Sequence, residues 1–197
     1  MTPPSPPPLV RQILDFWFGA RDTEDFGKER RLWFLKDTAV DDEIRAQFGA
    51  AVATAVAGGY GEWCTHAEGA LARVLLLDQF TRNIHRDTAD AFAGDARALA
   101  TAEDAVARGL DHSLDPHGRW FLYMPFEHAE NRAAQERSLA LFGALAAETG
   151  LDSPLEWARK HADVIFRFGR YPHRNAMVGR VSTPEELAFL GQPGSRF

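Results

Sequence analysis

A chain of 197 residues with 45% hydrophobic and 25% charged residues is the size of one domain and long enough to bury a core. Its 28 acidic residues outweigh 22 basic ones, a formal net charge of −6 that argues against a general nucleic-acid binder. Cys64 stands alone, which excludes an intrachain disulfide and fits a reducing, cytoplasmic setting, and no apolar run approaches the roughly 20 residues of a membrane span.

In chain order, "MTPPSPPPLV" lacks the basic and apolar regions of a secretory signal and reads as a Pro-rich disordered lead over residues 1–8. A single all-helical domain is expected over 9–197, with seven or eight helices packed as antiparallel pairs. The predicted spans are 8–18, 28–36, 38–57, 66–80, 90–108, 116–147, 154–169 and 184–190, the sixth interrupted by Pro125. Val40, Ile44, Phe48, Val52 and Val56 recur at helical spacing; so do Leu71, Val74, Leu75 and Asp78, and Trp157, His161, Val164, Ile165 and Phe168. Thr65-His-Ala-Glu68, Ser153-Pro-Leu-Glu156 and Thr183-Pro-Glu-Glu186 match the capping box, in which hydroxyl and carboxylate satisfy orphan amides of the first turn. Asp115-Pro116 resembles a further start, while Gly58-Gly59, Gly109 and Gly150 fall where helices end. No alternating strand pattern and no Asn-Gly or Asp-Gly hairpin turn accompanies them.

Three polar clusters interrupt these apolar helices. In "LLLDQFTRNIHR" (75–86), Asp78 shares the inward face of Leu71 and Leu75, and Arg82 lies one turn on, close enough to pair with it. A carboxylate drawn inward needs such a partner, because an unpaired buried charge is costly. Gln79, Asn83, His85 and Arg86 follow in the same stretch. In "YMPFEHAENRAAQER" (123–137), Glu127 with Glu130, or His128 with Arg132, can share a face, and neighbouring carboxylates suit acid–base work by raising one pKa.

The third cluster, "FRFGRYPHRNAMVGRV" (166–181), holds Arg167, Arg170, Arg174, Arg180 and His173 and no acid at all. Arg167, Arg170 and Arg174 fall on one face if the helix persists that far, and cations at a helix carboxyl end are favourable. His173, Arg174, Asn175 and Arg180 lie past the expected end, so they are expected to meet acids elsewhere, Asp78 and Glu127 among them. His161 sits on an apolar face and reads as a core histidine, and the five tryptophans also read as core.

Several signals are missing. The chain has no His-Glu-x-x-His, no Glu-x-x-His, no Gly-x-x-x-x-Gly-Lys loop and no Gly-x-Ser-x-Gly elbow. No cofactor is expected and no metal ligands are assigned; Asp78, Glu127, His128 and His173 would have to gather in space to hold an ion.

Four segments in order, "ILDFWFG" (13–19), "LLLDQFTRNIHR", "YMPFEHAENRAAQERSLALF" (123–142) and "FGRYPHRNAMVGRVSTPEELAFL" (168–190), resemble a mainly bacterial family catalogued as domain of unknown function 924. The resemblance spans about residues 11 to 190 and implies an all-helical, tetratricopeptide-like fold without sequence repeats. It implies no activity. Family members usually carry proline in the Asp-Gln-Phe-Pro-Arg-Asn stretch, where this chain has Thr81.

Three functions fit these residues. The first is a pocket for a small anionic ligand, with Asp78, Gln79, Arg82, Asn83, Arg170, Arg174, Asn175 and Arg180 as contacts and Glu127, His128 and His173 as the candidates for proton transfer should it be an enzyme. The second is a helical scaffold that takes an acidic peptide or partner protein in an Arg-rich groove. The third is a buried polar network that does no more than hold the helices in register. Neither a nucleic acid nor a membrane is an expected partner, and the oligomeric state is not legible.

Overall fold

The computed structural model describes residues 6–24 and 26–195. The expected lead therefore lies outside the described residues as far as Ser5, and Pro8 is already the first residue of α1 (Pro8–Phe18). Proline is tolerated there because the first helical N–H has no partner to lose.

The span expected at 28–36 forms only a short 3₁₀ turn, Arg31–Trp33. A helix this short is too costly to nucleate alone. Trp33 is instead held by its own contacts, its Nε1–H donating to the Trp17 carbonyl at 2.8 Å. α2 (Thr38–Val56) opens at Asp37, whose carboxylate accepts the Ala39 N–H at 2.9 Å, and buries Ile44, Phe48 and Val52.

The fourth expected helix is present but uneven. α3 (Ala67–Val74) runs without a break into a π-helical segment, Leu75–Phe80, and on into α4 (Thr81–Ile84). All six residues of the π segment are buried. Such wide turns are rare and gather at functional sites. The capping box read at Thr65 does not form: its hydroxyl donates to the Glu62 carbonyl at 3.2 Å. Ser153 likewise provides no cap.

α5 (Asp95–Ala107) follows a 3₁₀ turn at Ala89–Phe92. The long helix expected over 116–147 is two helices, α6 (Pro116–His128) and α7 (Arg132–Thr149). α6 runs through Pro125, and the chain turns instead at Asn131, whose side chain accepts the Ala134 N–H at 2.8 Å. α8 (Ser153–Phe168) ends at Gly169, and α9 (Pro184–Leu190) begins with a complete Thr183–Glu186 capping box.

The short links 129–131 and 150–152 oblige α6, α7 and α8 to run antiparallel as successive packed neighbours. α3 packs against α1, α5 and α6, while α2 covers the π segment and α4. One core joins these layers through Trp17, Phe48, Leu75, Leu76, Phe80 and Phe121. A smaller cluster of Val164, Ile165 and Tyr171 lies under the C-terminal segment. Among the described residues the fold is all-helical, with no strand, and no helix is long and apolar enough to cross a membrane. The π segment, the end of α6, the middle of α8 and the turn after α8 converge on one region.

Candidate functional site

Asp78 stands at the centre of this region, fully buried. It accepts from the Gln79 amide, meets His128 Nδ1 at 2.7 Å, and lies 3.1 Å from Arg82 Nη1. Burial alone would raise its pKa, but the Arg82 charge and the hydrogen bonds from His128 and Gln79 hold it well below the usual carboxylate range. With Asp78 ionised, the shared hydrogen sits on His128 Nδ1, which leaves the lone pair of that ring on Nε2.

Arg82 reaches two acids at once, because its Nη2 also lies 3.0 Å from Asp95 Oδ1. The other Asp95 oxygen accepts from Arg174 Nη1 at 3.1 Å. Asp95 therefore bridges an arginine of the π–α4 stretch and one of the strip beyond α8. The Arg174 guanidinium also lies between the Phe92 and Tyr171 rings, 4.5 and 4.6 Å from their centroids. Nearby, Arg86 grips Asp41 with two N–H groups, and Asn83 donates to the same carboxylate at 2.7 Å.

Glu127 behaves differently. It is 3% exposed, and its Oε2 has no hydrogen-bond partner among the described residues. Burial, with the Asp78 charge beside it, pushes its pKa up to about 8. Its Oε1 lies 3.1 Å from Nδ1 of His161, a ring that also hydrogen-bonds the Trp157 carbonyl at 2.9 Å. Burial and the neighbouring His128 press the His161 pKa down to about 3. The Glu127 carbonyl is fixed from behind, accepting from the Tyr171 hydroxyl and from Gln135 Nε2.

Two adjoining clefts open on this network. The larger, about 540 Å³, has Gln79, Arg82, Asn83, Arg86, Glu127, His128 and His161 on its polar side and Trp33, Phe34, Trp120, Met124 and Trp157 on its apolar side. The smaller, about 300 Å³, adds His173, Arg174, Phe92 and Lys36. Gln79, Arg82, Arg86, Met124, His128 and His161 line both. Charged donors thus face an aromatic wall across a space large enough for a small metabolite.

The sequence-derived residues divide accordingly. Gln79, Arg82, Asn83, Glu127, His128, His173 and Arg174 line one or both clefts, and Asp78 lies immediately behind. Arg170, Asn175 and Arg180 line neither. Arg170 and Asn175 meet Glu186, and Arg180 grips Glu130 in two hydrogen bonds at 2.6 and 2.8 Å. The face expected for Arg167, Arg170 and Arg174 does not form, because Gly169 ends α8 at φ 72 between the first two. Glu130 is correspondingly taken away from Glu127. His161, Trp33, Trp120, Trp157 and Arg86 are residues the sequence reading left out of the site. An imidazole on an apolar helical face carries the same signal whether its neighbours are all apolar or include a buried carboxylate.

The class of protein is therefore a helical single domain with a half-aromatic, half-charged cleft. The chain belongs to the family described as bacterial protein of unknown function (DUF924), whose model matches residues 13–194. It is similar to the solved structure of a protein of unknown function from Agrobacterium tumefaciens, ATU0120, at 39% identity and a TM-score of 0.81, over 93% of this chain and 97% of that one. Among curated proteins none matches the chain.

Proposed function

We propose that the paired clefts bind a small anionic molecule with an apolar or aromatic body. The observation that carries this reading is the wall shared by both clefts, where Arg82 and Arg86 converge with Gln79, His128 and His161 opposite Trp33, Phe34 and Trp120. The Arg86 guanidinium, held by Asp41 through Nε and Nη2, is pre-organised to offer its remaining N–H groups to a second anion. Glu127 and His128 on the larger cleft and His173 on the smaller are the groups nearest a bound molecule and the ones able to move a proton on it.

The acidic-peptide reading has less in its favour. All four arginines of the 166–181 strip already hold an acid of this chain: Arg167 with Glu185, Arg170 with Glu186, Arg174 with Asp95 and Arg180 with Glu130.

A thermal-shift panel of phosphorylated and carboxylated metabolites tests the proposal. At 100 times its dissociation constant a ligand adds about 2.7 kcal/mol, and each kcal/mol moves the midpoint by roughly 2–4 °C at this chain length. A shift in the parent protein that disappears in folded Arg82→Gln and Trp157→Ala variants is the expected result. A shift that both variants keep would place the ligand elsewhere, and a panel without any shift would remove the anionic reading.

A further inference from the structure

We infer that Glu127, His128 and His161 form a binding site for a divalent first-row transition-metal ion of the zinc class, open toward the larger cleft. One ligand atom from each residue lies within 4.8 Å of the others. Ligand atoms around a tetrahedral zinc, at about 2.1 Å from the ion, stand roughly 3.4 Å apart, so closing the set takes side-chain rotations of about an ångström. The two rings are 6.0 Å apart between centroids, against about 5 Å for imidazoles sharing one tetrahedral ion.

Three further observations point the same way. The first is the Glu127 carboxylate: it is buried, beside the ionised Asp78, and its Oε2 has no hydrogen-bond partner among the described residues. A buried carboxylate oxygen without a donor is costly, and a cation removes that cost.

The second is the orientation of the rings. His128 Nδ1 is bound to Asp78 at 2.7 Å, and His161 Nδ1 to the Trp157 carbonyl at 2.9 Å. Each contact places the hydrogen on Nδ1 and the lone pair on Nε2. This is the arrangement by which carboxylates and backbone carbonyls fix metal-bound histidines in the correct tautomer.

The third is position. All three residues line the cleft of about 540 Å³, so an ion held by them would keep coordination positions open to whatever enters. Two imidazoles and one carboxylate with an open position are the ligand set of catalytic rather than closed structural zinc sites. Two nitrogen donors also favour the zinc class over magnesium or calcium, which take oxygen.

His128 and Glu127 are consecutive and His161 follows 33 positions later on another helix, so no motif of fixed spacing announces the set. The inference does not rest on the anion reading: it needs no arginine and no organic ligand.

The test uses the full chain without a polyhistidine tag, stripped with a chelator and titrated with zinc against a chromophoric competitor, then with cobalt read by its ligand-field absorption. One equivalent is expected, with binding weakened tenfold or more in His161→Gln and in the isosteric Glu127→Gln, and with altered cobalt bands in Asp78→Asn. Circular dichroism confirms that each variant is folded; should one unfold, the Glu127→Gln titration alone decides. Parent protein that takes up no zinc more tightly than folded Glu127→Gln overturns the assignment, as does zinc held by the exposed histidines with all variants unchanged. Loss of anion binding in Arg82→Gln with metal uptake intact would separate the two sites.

Discussion

Gly94 rests directly on the carbonyl of Leu77, so closely that a β-carbon at position 94 would stand 2.1 Å from that oxygen. The contact joins the start of α5 to the π segment and brings Asp95 within reach of Arg82. Neither backbone can yield without moving one of the charged residues beside it.

Gly94→Ala is therefore expected to destabilise the fold by about 1–3 kcal/mol, the range of an overpacked interior. The melting midpoint should fall by roughly 2–4 °C for each kcal/mol. An unchanged midpoint would mean that the two segments do not touch as described.

Removing Arg174 strands Asp95 with one arginine and empties the space between Phe92 and Tyr171. Its side chain is only 9% exposed, so Arg174→Ala should cost on the order of 3 kcal/mol in chemical denaturation. Adding Asp95→Asn should recover part of that loss, and strictly additive effects in the double-mutant cycle would show that the pair is not coupled.

The capping predictions separate three similar motifs. Thr183 accepts the Glu186 N–H at 3.2 Å while the Glu186 carboxylate accepts the Thr183 N–H at 2.7 Å, so Thr183→Ala should cost about 1 kcal/mol. Ser153→Ala and Thr65→Ala, at motifs that form no cap, should each stay within about 0.5 kcal/mol. Equal losses at all three would contradict the described termini.

Glu186 also sets an acid limb of stability. The Arg170 hydrogen bonds, joined by the Thr183 N–H and Asn175, hold its pKa at about 2 against an ordinary 4.5. A carboxyl depressed in the folded state contributes stability that is complete above its unfolded pKa and is lost as pH falls through the folded one. The loss should run from about pH 4.5 toward pH 2, and Glu186→Gln should flatten that part of the curve. Urea midpoints from about pH 6 to about pH 2.5 measure it, and parallel curves for the two proteins would exclude the contribution.

Much of this was legible before any coordinates because helix punctuation is local. Asp115, Thr183 and Gly109 each act within one turn, and their signals appear in the sequence as they do in the fold. Capping boxes at Thr65 and Ser153 failed because a 3₁₀ turn and the preceding Asp152 set those helix starts. The turn between α6 and α7 was misplaced at Pro125, since Asn131 supplies a competing start that a proline-first reading passes over.

The site divides along the same line. Asp78, Gln79, Arg82, Glu127 and His128 stand out because each interrupts an apolar run. His161 and Trp157 do not, because a residue lining a cleft from an apolar helical face has the spacing of a core residue. The destinations of Arg174 and Arg180, 79 and 50 positions away at Asp95 and Glu130, are set by how helices pack and leave no mark on the local pattern.

The wide turn over Leu75–Phe80 separates two properties that most helices keep together. A π turn accommodates about one residue more than an α turn, and each residue advances the chain by about 100° around the axis. A single-codon deletion within the segment would let it relax to ordinary α-helix with both flanks still helical. Everything beyond would keep nearly its present phase, because the wide turn has already absorbed the extra residue. Forcing the full-length segment into α-helix would instead rotate Arg82, Asn83 and Arg86 by about 100° off the polar wall while α3 kept its seat. The wide turn thus lets one helix carry an extra residue without a phase shift, so that its first half stays with the apolar interior and its second half with the cleft.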